Sequence, residues 1–413
     1  MTLKIAINGA GPAGCMLARL LTQSNKDIEV VIFEGEASLN FRSQGGTLDL
    51  RTGSGLDAIK AANLWEEFKP HARYDGEALK VADKNYVLYL NMNGSKEHKD
   101  FARPEIDRPA LRKLLFESLP AGIVEWGHKL VKVDEDLTLH FANKPSRGGF
   151  DLIVGADGAW SKTRARISNA QPMYSGISGH QMTIPNAERD HKELYDRLNR
   201  GSIFSYSNGK SIMAQQMGDG TMSIGLWCVQ PQNWQDQAPF NTKDNAQIQA
   251  AYAELYKDWD PRLSAYTQQA DCDITARDLY MLPVGHKWEH VPGVTLIGDS
   301  ASLSTPFAGI GVNKALQDAL LLSQAILAAA DKQDAAQALD QGVKTFEEDL
   351  FKRGKQVQEN TYTNMQFMYF QEDAPRKGIE KFIINAVKDE MGWFTYLLAP
   401  LVYAYYFVFK LVY

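Results

Sequence analysis

Apolar positions fall into two periods along this chain, and the places where the period changes divide it. Residues 4–8 (Lys-Ile-Ala-Ile-Asn) and 29–33 (Glu-Val-Val-Ile-Phe) are short apolar runs, while Cys15, Met16, Leu17, Ala18, Leu20 and Leu21 between them keep helical spacing. A strand, a turn, a helix and a second strand are the expected order. Two further runs, at 150–155 and 294–297, read as buried strands, and residues 312–330 read as a long helix. Helices are also expected over 54–68 and from Pro109, where a proline suits the first turn.

Between about 176 and 229 the βαβ pattern gives way to hairpins. Asn208-Gly209 separates 202–207 from 210–217, and Gly218-Asp219-Gly220 leads into 221–229. In the last of these Met222, Ile224, Leu226 and Cys228 share one face, which marks an antiparallel sheet. A smaller hairpin is expected from 78–81 and 86–90 around Asp83-Lys84-Asn85. The fold class is therefore α/β: a discontinuous Rossmann-like domain with an inserted antiparallel β-sheet and a helical, apolar C-terminal tail. We assign 1–75, 97–172 and 262–330 to the nucleotide-binding domain and 76–96 with 173–261 to a substrate domain. Residues 331–390 are C-terminal helices, and 391–413 are the tail.

The glycines give this pattern its chemistry. Gly9, Gly11 and Gly14 stand as G-x-G-x-x-G between the first strand and its helix, and Glu34 closes the second strand twenty positions later. The first glycine allows the turn, the second lets the backbone approach a pyrophosphate, and the third lets helix and strand pack closely. The helix start offers free N–H groups to phosphate, and the acid suits a ribose. A second gate follows the strand at 294–297: Gly298-Asp299, then Pro306-Phe307-Ala308-Gly309-Ile310-Gly311 before the long helix. Two such gates fit one long ligand held at both ends. Arg108 and Arg112, four apart, share a helical face. Asp157-Gly158 at a strand end is a turn signal, and 41–50, with Gly45 and Gly46, reads as a loop. Gln181, Ser211, Gln215 and Gln216 are the polar residues that the sheet could turn toward a pocket.

Charge and cysteine usage narrow the partners. A formal charge of −6 and a pI near 5.8 do not support nucleic-acid binding, which leaves small molecules. Three cysteines, Cys15, Cys228 and Cys272, are too few and too scattered for a disulfide framework or zinc cluster, and read as reduced thiols facing the cytosol. No signal peptide is expected ahead of the first strand, no metal site is expected, and no Ser/His/Asp triad emerges among the eight histidines.

In order and rough spacing, residues 9–14 with Glu34, Asp157-Gly158, Gly298-Asp299 and residues 306–311 resemble the class A flavin monooxygenases of the para-hydroxybenzoate hydroxylase type. Residues 45–50, 104–112 and 306–309 resemble the tetracycline-inactivating members. The resemblance covers about residues 3–360. It implies a non-covalently bound FAD, NADPH as a transient reductant, and O2 addition to give a C4a-hydroperoxyflavin. One oxygen atom would then pass to a hydrophobic aromatic or polycyclic small molecule, by hydroxylation or epoxidation, in secondary metabolism or xenobiotic inactivation. The chemistry would belong to the flavin, so no protein residue is expected to be catalytic.

Together with the positions that the resemblance carries over, the cofactor-binding set is Gly9, Gly11, Gly14, Glu34, Gly46, Asp49, Arg108, Arg112, Asp157, Asp299, Pro306, Gly309, Gly311, Val312 and Asn313, and the substrate set is Gln181, Ser211, Gln215 and Phe307. The sequence departs from the pattern at Gly35, where a basic residue usually follows the acid, and at Ser302, where a histidine is common. Near Ser211 it lacks the arginine of a tetracycline binder, so that substrate is not carried over. A flavin-dependent reductase of a lipid-like substrate and a non-redox scaffold for cyclisation stay open as alternatives.

The tail, residues 393–413, is apolar and aromatic with one lysine, against a mean hydropathy of −0.33 for the chain. Its length matches a bilayer span. Pro400, Lys410 and five tyrosines suit an interfacial helix, or a helix packed on the enzyme, at least as well.

Overall fold

A computed structural model describes residues 2–39, 46–93 and 103–413. Residues 41–45 of the loop expected at 41–50, Gly45 among them, lie outside the described residues.

The apolar runs become a parallel sheet of five strands. Their order is Val294–Leu296, Leu152–Gly155, Leu3–Asn8, Ile28–Glu34 and Val124–Trp126. Sequence reading did not anticipate Val124–Trp126, which is three residues long. Asn8 lies beside Gly155 and Phe33 in register, so the glycine loop, Asp157 and Glu34 all emerge at the same carboxyl edge. That edge is where open α/β sheets bind their ligands.

Helices Pro12–Thr22 and Gly311–Ala330 cover one face of the sheet. Met16, Leu17, Leu21, Leu316, Leu322 and Ile326 bury there with Ile5 and Ile7, and the long helix Ala335–Met365 adds Phe346 and Leu350. Phe33, Ile153, Leu139 and Phe141 fill the other face beneath a short hairpin.

The second sheet has seven strands in the order Cys272–Met281, Met173–Ile184, Met222–Val229, Lys210–Gln216, Ser202–Ser207, Leu79–Ala82 and Leu88–Met92. All neighbours are antiparallel except Ser202–Ser207 with Leu79–Ala82. Met182, Ile184, Ile203, Ile212, Ala214, Ile224 and Leu226 face a core closed by helices Asn245–Leu255 and Pro261–Gln269, which contribute Ile248, Tyr252 and Leu263.

The structure corrects three expectations here. Residues 262–281, given to the nucleotide domain, belong to the second sheet and its covering helix, because Cys272–Met281 pairs with Met173–Ile184. The helix expected over 54–68 is two, Gly55–Ala61 and Trp65–Phe68, broken where Asn63 adopts a left-handed φ of 54°. Part of the loop expected at 41–50 is a strand, Thr47–Asp49, paired with Glu105–Asp107.

The tail forms the helix Thr395–Val412, with Pro400 inside it. Among the described residues no helix is long and apolar enough to cross a membrane, so the bilayer span is set aside. One side of this helix packs on the second sheet. The Tyr406 hydroxyl donates to the Tyr89 carbonyl at 2.6 Å, and Lys410 pairs with Glu380 at 2.6 Å. Leu401, Phe407 and Leu411 face outward. The charged Lys410 that interrupts the apolar run is thus held by the neighbouring helix Ile379–Met391, which carries Glu380.

Candidate active site

The three glycines of the first gate do different work. A Cβ on Gly9 would lie 2.3 Å from the Ala156 carbonyl oxygen, and one on Gly14 would lie 2.0 Å from the Gly9 oxygen. Both therefore keep the strands and helix close. A Cβ on Gly11 would meet nothing within 4 Å. Gly11 is the N-cap of Pro12–Thr22 and lacks a side-chain cap, so the helix start faces an open cradle. Glu34 lies beside it: one carboxylate oxygen accepts from Ala10 N at 2.7 Å and the other from Glu36 N at 2.8 Å. Arg112 donates to Glu36 at 2.6 Å and is nearly buried, so it braces the chain behind Glu34.

At the second gate Gly298 turns the chain with a positive φ of 62°, and Asp299 follows at the start of a short helix. A Cβ on Gly298 would lie 3.3 Å from the Ala13 Cβ and 3.5 Å from the Ala315 Cβ. The turn is thus wedged between the first turns of the two gated helices, and both gates belong to one site. Asp299 and Arg108 both have accessible side chains, and each acts electrostatically on the other across the crevice outside the strand ends. Burial raises the Asp299 carboxyl, with Lys314 and Arg108 opposing. Burial lowers the Arg108 guanidinium, with Asp299 opposing and Arg277 adding to the shift.

Pro306 opens a short turn that ends at Gly309, left-handed at φ 66°, and Gly311 again has nothing within 4 Å of a Cβ position. The Asn313 side chain is occupied: it donates to the Asp49 carbonyl at 2.7 Å and accepts from Arg51 N at 2.8 Å. Arg51 in turn pairs with Asp49 at 2.9 Å. Asn313 and Asp49 therefore fasten the Thr47–Asp49 strand to the second gate, and only backbone at 309–313 is left for a ligand, with Val312 packed against the core. Gly46, at φ 98°, accepts from Arg108 N at 3.1 Å.

Two expected site residues face elsewhere. Asp157 is engaged by its own turn, accepting from Ser161 Oγ at 2.5 Å, Lys162 N at 2.8 Å, Thr163 N at 3.1 Å and Ser300 Oγ at 3.2 Å, so it shapes the loop. Ser211 is fully buried and bonded to the Tyr369 hydroxyl at 2.7 Å, which removes it from substrate contact. Gln216 is buried too, bonded to the Tyr195 carbonyl.

The rest of the substrate set converges. A Cβ on Gly46 would be 4.0 Å from both Gln181 Nε2 and Gln215 Oε1. Among the described residues each amide has one long partner, Gln181 to Ser223 Oγ and Gln215 to Ser202 Oγ, both at 3.3 Å. Strand register puts Gln181, Gly225, Met213 and Phe204 in one row on this face, and Thr183, Ser223, Gln215 and Ser202 in the next. Phe307 approaches from the cofactor side, its ring 4.8 Å from that of Tyr369.

These gates, with open cradles at Gly11 and Gly311 and a charged crevice between them, fit a flavin dinucleotide. The chain matches the FAD binding domain family over residues 2–361 and belongs to that family. It is an FAD-dependent monooxygenase. It is 30% identical to Monooxygenase penA of Penicillium thymicola, over 91% of this chain and 97% of that one. Among solved structures it resembles Klebsiella pneumoniae HpxO complexed with FAD and uric acid, with a TM-score of 0.72, 16% identity, and coverage of 97% and 96%. It also resembles the tetracycline destructase Tet(55), with a TM-score of 0.67, 18% identity, and coverage of 94% and 96%.

Sequence reading missed Lys314 and Asp318, both buried in the helix of the second gate. A signal existed: a charged pair four residues apart among Ala315, Leu316, Ala319 and Leu322 has to be compensated from outside its helix. Arg277, on the edge strand beside Gly179, left no such signal.

Proposed function

We propose that this enzyme uses NADPH and O2 to insert one oxygen atom into an uncharged, hydrophobic aromatic or polycyclic small molecule. The observation that carries this reading is the make-up of the sheet face turned toward Gly46. Its two central rows hold Gln181, Thr183, Ser202, Phe204, Met213, Gln215, Ser223 and Gly225, with no charged side chain among them. Within these two rows an anionic substrate would find no cation, which is costly in a desolvated pocket; Arg277, opposite Gly179, stands in the next row. Carboxamides and hydroxyls can instead orient a neutral polar edge, while Phe204, Met213 and Phe307 bury its ring.

Bound FAD supplies the redox and oxygen-activating chemistry; one oxygen atom goes to product and the other, with the electrons of NADPH, to water. The protein holds the cofactor through Glu34, Asp299, Arg108 and the two helix starts. It seats the substrate through Gln181, Gln215 and Phe307, and keeps water from the reacting carbon. Secondary metabolism or inactivation of a foreign aromatic compound suits such a pocket.

The test is a panel of neutral and carboxylated polycyclic compounds under 18O2. NADPH oxidation stimulated by neutral members, with one 18O per product molecule, is expected. Product formed equally without O2 would leave a reductase instead, and a preference for carboxylates would overturn the substrate assignment.

A further inference from the structure

Gly298 stands between the two gated helix starts, and both polar groups flanking it in the backbone are held by side chains of one helix. Its N–H donates to Asp318 Oδ2 at 3.0 Å, and its carbonyl accepts from Lys314 Nζ at 3.1 Å. Lys314 and Asp318 are themselves joined at 2.8 Å. Arg353, from the long helix Ala335–Met365, donates to the other Asp318 oxygen at 2.6 Å. Lys314 is 5% exposed and Asp318 is 0% exposed.

The location argues against ordinary helix packing. Lys314 lies in the first turn of Gly311–Ala330, where the helix dipole disfavours a cation. Buried ion pairs are also often no more stabilising than apolar residues of the same volume. What this arrangement uniquely provides is a fixed peptide at Gly298, whose positive φ sets the direction in which Asp299 leaves the sheet. The groups that act electrostatically on Asp299 are Lys314 and Asp318 on this helix and Arg108 at the start of Arg108–Glu117.

We propose that Lys314 and Asp318 are positioning residues for the cofactor: together they clamp both sides of Gly298 and aim Asp299 into the crevice. Lys314 has two effects, one geometric through the Gly298 carbonyl and one electrostatic, since its charge favours the ionised form of Asp299.

The test follows flavin release from the holoenzyme by fluorescence recovery on dilution, between pH 6 and 8. Lys314→Met is expected to weaken FAD binding about ten-fold at pH 7, the scale of one lost charge-assisted hydrogen bond. Its affinity should also fall as pH is lowered, because Asp299 without its cation takes up a proton more readily. Lys314→Gln keeps a donor to Gly298 without the charge. It should bind FAD better than Lys314→Met at pH 8 and show the same decline toward pH 6. Arg353→Met is the comparison for mere packing: it removes the far partner of Asp318 and should lower melting temperature without that pH profile. The proposal is overturned if Lys314→Met holds FAD within two-fold of the parent across this range. Should Lys314→Met fail to fold, a flat profile for Lys314→Gln, within two-fold of the parent, overturns it equally.

Discussion

In the five-stranded half, the surface offered to the ligand is largely backbone: helix starts at Gly11 and Gly311, the Gly298 turn, and a few charged groups in a crevice. In the seven-stranded half the surface proposed for the substrate is side chains of ordinary kind, Gln181, Gln215, Met213 and Phe204, on a regular pleated face. The difference concerns what each ligand demands. A pyrophosphate needs close approach of N–H groups, which only residues without a Cβ permit, so its binding is written in glycines at fixed spacing. A hydrophobic ring needs shape and a few donors, which many side chains supply.

This contrast is broken most forcefully at the glycines. Gly14→Ala places a Cβ 2.0 Å from the Gly9 oxygen. We expect both loss of stability and FAD binding weaker by about a hundred-fold, the scale of a few kcal/mol of backbone strain. Gly11→Ala is the sharper variant, because its Cβ meets no atom of the described residues within 4 Å. Its apoprotein should melt with the parent while its FAD affinity falls; unchanged flavin content in purified Gly11→Ala would show that the cradle is not where phosphate sits.

The ribbon that joins the halves is next in size. Arg73 donates to Asp107 at 2.9 Å, to Thr47 at 2.9 Å and to the Gln216 carbonyl at 3.2 Å, while Thr47 donates to Glu105 at 3.0 Å. Burial pushes the Glu105 carboxyl up from 4.5 to about 8, with Arg73 opposing. A raised acid favours folding in its protonated form. Its contribution is full below pH 4.5, declines as pH rises toward 8, and is gone above that. Urea midpoints measured from pH 5 to 9 should therefore fall for the parent, by up to a few kcal/mol of stability. Glu105→Gln should flatten that fall; a variant curve parallel to the parent's would assign the dependence to other groups.

On the side-chain half, Gln181→Leu and Gln215→Leu should each lower kcat/KM about ten-fold, one hydrogen bond's worth, while FAD affinity stays unchanged. A loss of flavin in either variant would blur the division between the halves.

The same contrast explains what could be read from the chain alone. The strands at 202–207 and 210–216 were legible because Asn208-Gly209 sets a hairpin and one face repeats at period two. The turn of the first gate was legible because Gly9 and Gly14 leave no room for a Cβ. Asp157 and Ser211 look the same in sequence whether they bind a ligand or a neighbour. Their partners, Ser161, Thr163 and Ser300 for one and Tyr369 for the other, are known only once the chain is folded. Cys272–Met281 was hidden for a related reason: an edge strand with Asp273, Arg277 and Asp278 lacks a steady apolar face.

The smallest effect tests the tail. Tyr406 is 4% exposed, and its hydroxyl donates to the Tyr89 carbonyl at 2.6 Å, from a helix that also packs Phe409 on the Tyr89 ring and pairs Lys410 with Glu380 of the helix Ile379–Met391. Tyr406→Phe keeps the ring against Phe409, 5.9 Å between centroids, and removes only the hydroxyl, so stability should fall by about 1 kcal/mol. Because Tyr89 lies on a strand of the seven-stranded sheet, that loss should appear in the unfolding of this half and leave flavin retention untouched. A Tyr406→Phe protein as stable as the parent would mean that the tail helix leaves this seat in solution, and that its apolar outer face is not the only side it can present.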